Sequence, residues 1–226
     1  MILQYVWREP IFYKMTMTNQ VVKQGPVLDT YTTIRYSVHF EIPKIKGSRF
    51  IAEAFPLEEI VMVPEMLKVI QRREYNASHW CWAYRFGVDS VEVRSNDDGE
   101  PSGSAGLPIL RQIERSGFTS VLVVVTRYFG GTKLGTGGLV RAYGEAAEAV
   151  LQRCEPKEVI LRKDIRLSFA YPDTSAAMHC IQQFDAPIIQ THYSDITEVT
   201  VAVRNSQVEA LKTNFIEALR GQGHVS

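Results

Sequence analysis

The sequence is short of several things, and each shortage removes a class of protein. Formal net charge is +0 across 25 Lys/Arg and 25 Asp/Glu, so no global field draws the chain to nucleic acid or an anionic surface. The balance holds locally: residues 157–226 carry seven Lys/Arg and eight Asp/Glu. Any nucleic-acid surface must therefore be a local patch. Only three cysteines occur, Cys81, Cys154 and Cys180, far apart and odd in number. They fit neither a disulfide framework nor a zinc spacing, and a reducing cytoplasmic location is the expectation. No apolar run reaches membrane-spanning length. The first residues lack a signal-peptide pattern, because Arg8 and Glu9 interrupt the short apolar start. No low-complexity tract or short repeat is visible.

What is present is a core and one conspicuous stretch. Hydrophobic residues make up 45% of 226 residues, enough for one large or two small domains. The stretch runs from Val121 to Arg141. A β-branched run, expected as a strand over 119–126, is followed by glycines at 130, 131, 135, 137 and 138. Leu139, Val140, Tyr143, Ala147, Val150 and Leu151 then recur at helical spacing. Strand, glycine loop and helix put unpaired N–H groups and a positive dipole end at residues 135–138. With Arg127, Lys133 and Arg141 nearby, the segment suits an anion, phosphate first. It has neither the P-loop nor the dinucleotide spacing, so glycines serving only tight turns and close packing stay an open alternative. Arg127-Tyr128-Phe129 places a guanidinium beside two aromatics. That combination suits phosphate and base together, a protein interface, or a capped core.

Two further segments carry chemistry-bearing groups. Over 76–86, period two sets His79, Cys81, Ala83 and Arg85 on one face of a strand and Trp80, Trp82, Tyr84 and Phe86 on the other. The aromatic face is greasy enough to be core. The other face holds an imidazole, a thiol and a guanidinium in a row. A thiolate–imidazole pair and a partly buried cysteine beside a hydrogen-bonded histidine both fit. The polar loop 95–106 contains Asp97, Asp98 and Glu100, with Ser102 and Ser104 around Gly103. Three carboxylates in four positions suit Mg²⁺ or Ca²⁺, a solvated turn, or ion pairs with Arg127 or Lys133. The serines read as turn formers or hydroxyl contacts. His79, Cys81, Arg85, Asp97, Asp98, Glu100 and Ser102 together outline a possible cleft.

The remaining elements are read from pattern. Alternation from Tyr31 to Glu41 predicts one strand, with Ile34, Tyr36, Val38 and Phe40 on one side, and residues 49–55 its meander partner. Pro64 opens a helix carrying Met66, Leu67 and Ile70. Pro108 and Gly117 bracket another. Residues 154–157 mark a boundary. Beyond it, strand, helix, strand, strand and helix form most of a ferredoxin-like unit, with the closing strand after Gly223 short or missing.

These residues resemble the Impact family, whose bacterial members include the YigZ proteins. The resemblance rests on residues 46–52, 77–85, 97–106 and 127–143, four motifs in order that cover roughly 30–155. Residues 157–226 look like the smaller second domain of the bacterial members, on weaker motifs such as Ala170-Tyr171-Pro172. The resemblance implies an α+β chain of two domains. An N-terminal α/β sandwich of the ribosomal-protein-S5 second-domain type would span 29–155, and a ferredoxin-like domain 157–226, behind an extension over 1–28. It also implies a link to the regulation of translation, although the eukaryotic namesake's role uses an extra domain that this sequence does not show. The family brings no settled catalytic residues.

The leading expectation is a non-enzymatic, cytoplasmic factor that binds RNA or the ribosome. Its phosphate site would comprise Arg127, Tyr128, Phe129, Gly130, Gly131, Lys133, Gly135, Gly137, Gly138 and Arg141. No cofactor is expected beyond a possible Mg²⁺ on Asp97, Asp98 and Glu100. No membrane partner and no DNA sequence specificity are expected. The alternatives are an enzyme acting on a phosphorylated small molecule or nucleotide, and a module that sequesters a protein regulator of translation.

Overall fold

The computed structural model describes residues 28–88 and 90–226; the expected extension over 1–28 falls almost wholly outside them. The first domain is built on a five-stranded sheet. Its strands are β2 (Val38–Glu41), β3 (Arg49–Pro56), β4 (His79–Phe86), β5 (Glu92–Asn96) and β6 (Val121–Tyr128). They lie in the order β2-β3-β6-β4-β5, antiparallel throughout. β6 sits in the middle with helices on both sides, which explains its unbroken apolar run from Val121 to Val125: a strand buried on both faces has no polar side. Helices α2 (Gly106–Ser116) and α3 (Thr136–Leu151) pack on one face, over Phe50, Ala52, Cys81, Ala83, Val123 and Val125. Helix α1 (Val63–Arg73) covers part of the other, over Tyr84, Leu122 and Val124.

Both faces of β4 are therefore covered. The aromatic side chains contribute to the smaller core under α1. Cys81 and Ala83, on the face read as chemical, lie in the larger one. The groove between α2 and α3 runs from Pro108 beside Val140 to Ser116 and Phe118 beside Leu151 and Cys154. The two helices thus point the same way, and both begin where β4 starts and β3, read backwards, and β6 end.

The strand expected from Tyr31 to Glu41 is two strands. β1 (Thr30–Ile34) pairs antiparallel with β7 (Pro156–Ile160), while β2 belongs to the main sheet. Between them Tyr36 is largely exposed. Ile34 enters the first domain's core, so the alternation is genuine, but it spans two ladders. The segment at the expected boundary is thus a paired ribbon. The second domain follows with β8 (Arg162–Phe169), α4 (Thr174–Gln183), β9 (Ile188–Tyr193), β10 (Thr197–Arg204), α5 (Val208–Ala218) and β11 (His224–Val225). Its order β11-β8-β10-β9, all antiparallel, with Leu167, Val201, Leu211 and Phe215 in the core, is the ferredoxin-like arrangement. The closing strand exists and is two residues long.

Candidate functional site

Loops 97–105 and 130–135 lead into α2 and α3 at the same end of the sheet, and a knot of polar side chains lies beneath them. Glu100 is its centre. One carboxylate oxygen accepts from Arg127 Nη1 at 2.6 Å and from the Tyr143 hydroxyl at 2.7 Å. Arg127 is only 5% exposed. Its Nη2 donates to Ser48 Oγ at 3.3 Å, and that same oxygen accepts from the Gly130 amide at 3.1 Å. The guanidinium carbon stands 5.6 Å from the ring centres of both Phe50 and Phe129. His79 Nδ1 faces the Asp98 carbonyl at 2.8 Å and must donate to it, leaving Nε2 3.9 Å from Glu100.

Each carboxylate of the acidic loop has its own task. Asp97 accepts from the amides of Gly103, Ala105 and Gly106 at 2.8–2.9 Å. Burial pushes its carboxyl up, but the three amides outweigh this and hold it below the ordinary carboxylate value. Its charge also sits at the positive end of α2. Asp98 accepts from the Trp80 amide at 2.7 Å. Glu100 serves Arg127 and Tyr143. The three diverge, and among the described residues no group of three His, Cys, Asp or Glu side chains is placed to hold a metal ion. Of the options open for this trio, the ion pair with Arg127 is the one Glu100 makes, while Asp97 and Asp98 serve backbone amides.

Other expected residues separate in the same way. Cys81 is fully buried, and its thiol donates to the Asp97 carbonyl at 3.0 Å. Burial pushes that thiol far up, so it is no thiolate nucleophile. Arg85 lies at the far end of β4, where it donates to the Phe118 carbonyl, outside the cluster. Ser102 is exposed on the loop. Tyr128 points to the other face of the sheet; its hydroxyl donates to Glu74 at 2.7 Å, with the Arg49 guanidinium 5.1 Å above its ring. Arg127, expected on phosphate, is committed to Glu100 because β6 extends two residues past the expected end and turns it inward.

The loop itself faces outward. Phe129 is 51% exposed, and Lys133, Gly135, Gly137 and Arg141 are exposed. Gly135, at φ +73°, precedes α3 in a conformation that a side chain resists. No side-chain acceptor among the described residues bonds the amides of residues 136–138, whereas those at the start of α2 are taken by Asp97. Beneath, the loop is pinned. Gly130 packs so tightly on Gly47 and Ser48 that a Cβ there would lie 1.9 Å from the Gly47 carbonyl carbon. Ser78 Oγ accepts from the Phe129 amide, and the Ser78 amide donates to the Arg127 carbonyl. Sequence reasoning does not single out Ser48, Ser78 or Tyr143 as site residues. For Tyr143 a signal exists: it is a hydroxyl on the apolar face of α3.

Comparison with known proteins gives consistent matches over both domains. The Impact N-terminal domain matches residues 46–151, and a domain of unknown function, DUF1949, matches residues 167–222. The IMPACT family member YvyE of Bacillus subtilis is 31% identical over 199 residues, 88% of this chain and 91% of that protein. The IMPACT family member YigZ of Escherichia coli is 30% identical over 182 residues, 80% of this chain and 89% of that protein. A solved structure described as "Crystal structure of an hypothetical protein" superposes with a TM-score of 0.68 at 28% identity, covering 88% of this chain and 97% of that one.

Proposed function

The chain belongs to the Impact family, and from that premise we propose that it is a cytoplasmic RNA- or ribosome-associated factor linked to the regulation of translation, working without a catalytic step. The observation that carries this reading is the contrast between the two helix starts. The α2 start is neutralised by Asp97. The α3 start is left open, with exposed Lys133 and Arg141 on either side of it in the sequence and half-exposed Phe129 at the head of the same loop. An RNA phosphate would meet the amides of residues 136–138 and the two cations, and a base would stack on Phe129. Arg127 acts from inside, holding Gly130 through Ser48 and supporting the Phe129 ring. The test is binding of single-stranded RNA and of ribosomes over a range of salt. Wild type binds with a negative salt slope, and Lys133→Ala with Arg141→Ala weakens and flattens it. A wild type without salt-dependent association ends the proposal.

A protein partner seated on Phe129 is the second reading, favoured by that half-exposed ring. Capture from nuclease-treated lysate separates the two, since only a protein complex survives the nuclease. An enzyme acting on a phosphorylated small molecule or nucleotide is the remaining alternative, and it would work without a metal on Asp97, Asp98 and Glu100, which do not converge.

A further inference from the structure

An edge strand displays unpaired N–H and C=O groups that invite another strand, and proteins blunt such edges with charge, brevity or a cover. Among the described residues, most edges are blunted. β11 is two residues long. β2 has four residues and ends in Glu41, paired with Arg49 at 2.8 Å. β5 carries Glu92 and Arg94, and β7 carries Lys157 and Glu158. β1 is covered: the Thr32 carbonyl accepts from the Thr119 amide, and the Thr33 hydroxyl donates to the Ser120 carbonyl.

β9 differs. Its six residues, Ile188-Ile189-Gln190-Thr191-His192-Tyr193, include no Lys, Arg, Asp, Glu or Pro, and all six are exposed. Among the described residues β10 is its only strand neighbour. The ladder between them slips at Thr200–Val201, leaving Ile189 unpaired on that side. Ile189 is 55% exposed, Tyr193 78%, and Ile196 just beyond the strand 52%. This is an apolar, uncharged edge on a domain whose opposite edge is very short.

We propose that β9 is the contact through which two copies of this chain associate, antiparallel about a two-fold axis, joining two four-stranded sheets into one of eight. A second copy fits better than a foreign peptide because of what the strand lacks. An edge selected for a charged partner carries the opposite charge, whereas a self-pairing edge must avoid setting like charges opposite each other. A register centred on Thr191 places Thr191 against its own counterpart, Gln190 against His192 and Ile189 against Tyr193 of the second copy. The acids outside the strand, Asp185 and Asp195, then fall opposite Thr197 and Pro187, so no carboxylates meet. A contact of this length lies at the small end for stable interfaces, so the dimer forms with rising concentration and dissociates on dilution.

Sedimentation equilibrium of the full chain, from micromolar to several hundred micromolar, tests this. The weight-average mass climbs from 25.6 kDa toward twice that value. Ile189→Lys and Gln190→Lys each weaken association at least tenfold while the melting temperature stays within a few degrees; Arg94→Ala on β5 leaves association unchanged. Amide hydrogen exchange on the wild type is a second readout that needs no variant, with β9 amides gaining protection as concentration rises. A wild type monomeric throughout, a dimer indifferent to both lysines, or β9 amides unprotected in the dimer overturns the assignment.

Discussion

Two helices start side by side at one end of the first domain's sheet, and the chain treats them oppositely. The start of α2 is closed from within: Asp97 takes the amides of Ala105 and Gly106 and brings negative charge to the dipole. The start of α3 follows Gly135, has no internal acceptor among the described residues, and faces outward beside Lys133 and Arg141. Charge follows the same division. Arg127 and Lys133 lie six positions apart with the same formal charge, yet one is sealed against Glu100 and the other is exposed. A cation in a sequence motif is thus no sign of a free cation. The neutralised half builds the platform, and the open half is what a partner can reach.

The inner half should tolerate substitution least. Glu100→Ala leaves the Arg127 guanidinium buried without its carboxylate, which should cost about 3–5 kcal/mol in urea unfolding. Gly130→Ala comes next. Its Cβ collides with the Gly47–Ser48 backbone, and a destabilisation of about 3 kcal/mol is expected. Gly131→Ala, in open space at φ +86°, should cost only about 1 kcal/mol for the left-handed conformation. The same unfolding measurement on the pair separates packing from backbone strain.

Asp97→Ala sharpens the contrast between the helices. Three amides are left without their acceptor, at a cost of about 2 kcal/mol near neutral pH. The folded carboxyl titrates below its ordinary value, so its contribution is complete above about pH 4 and is lost as pH falls through the folded value. The stability gap between wild type and variant should therefore narrow in acid, and denaturant unfolding across that range reads it. The smallest effect belongs to the outer half: Lys133→Ala and Arg141→Ala should each change stability by less than about 0.5 kcal/mol.

Much of the fold is legible in the sequence, and the failures have physical causes. The apolar run of β6, the proline and glycine bounding α2, and the restart of pattern after residue 157 each reflect one local cause and can be read directly. The segment 31–41 reads as a single strand because alternation reports that one side is buried, not which ladder supplies the neighbours. For Arg127 the difference comes down to two residues. With β6 ending at 126 it becomes a loop residue; with β6 ending at 128 it shares the face of Val121, Val123 and Val125 and points inward. The acidic loop is legible as composition, and pairing with Arg127 is among the options, but no periodicity directs three carboxylates to separate partners. That an uncharged strand such as β9 lies at an edge is decided by sheet order, which the sequence pattern does not carry.

The most direct test is the salt dependence of single-stranded RNA binding for wild type and the Lys133→Ala/Arg141→Ala pair, with unfolding followed on the same samples. Each phosphate-neutralising cation contributes about 0.7 to the slope of log K against log salt, so removing both should flatten it by about 1.4 while stability stays unchanged. A slope identical in the two proteins would contradict the claim that the open start of α3 receives the phosphate.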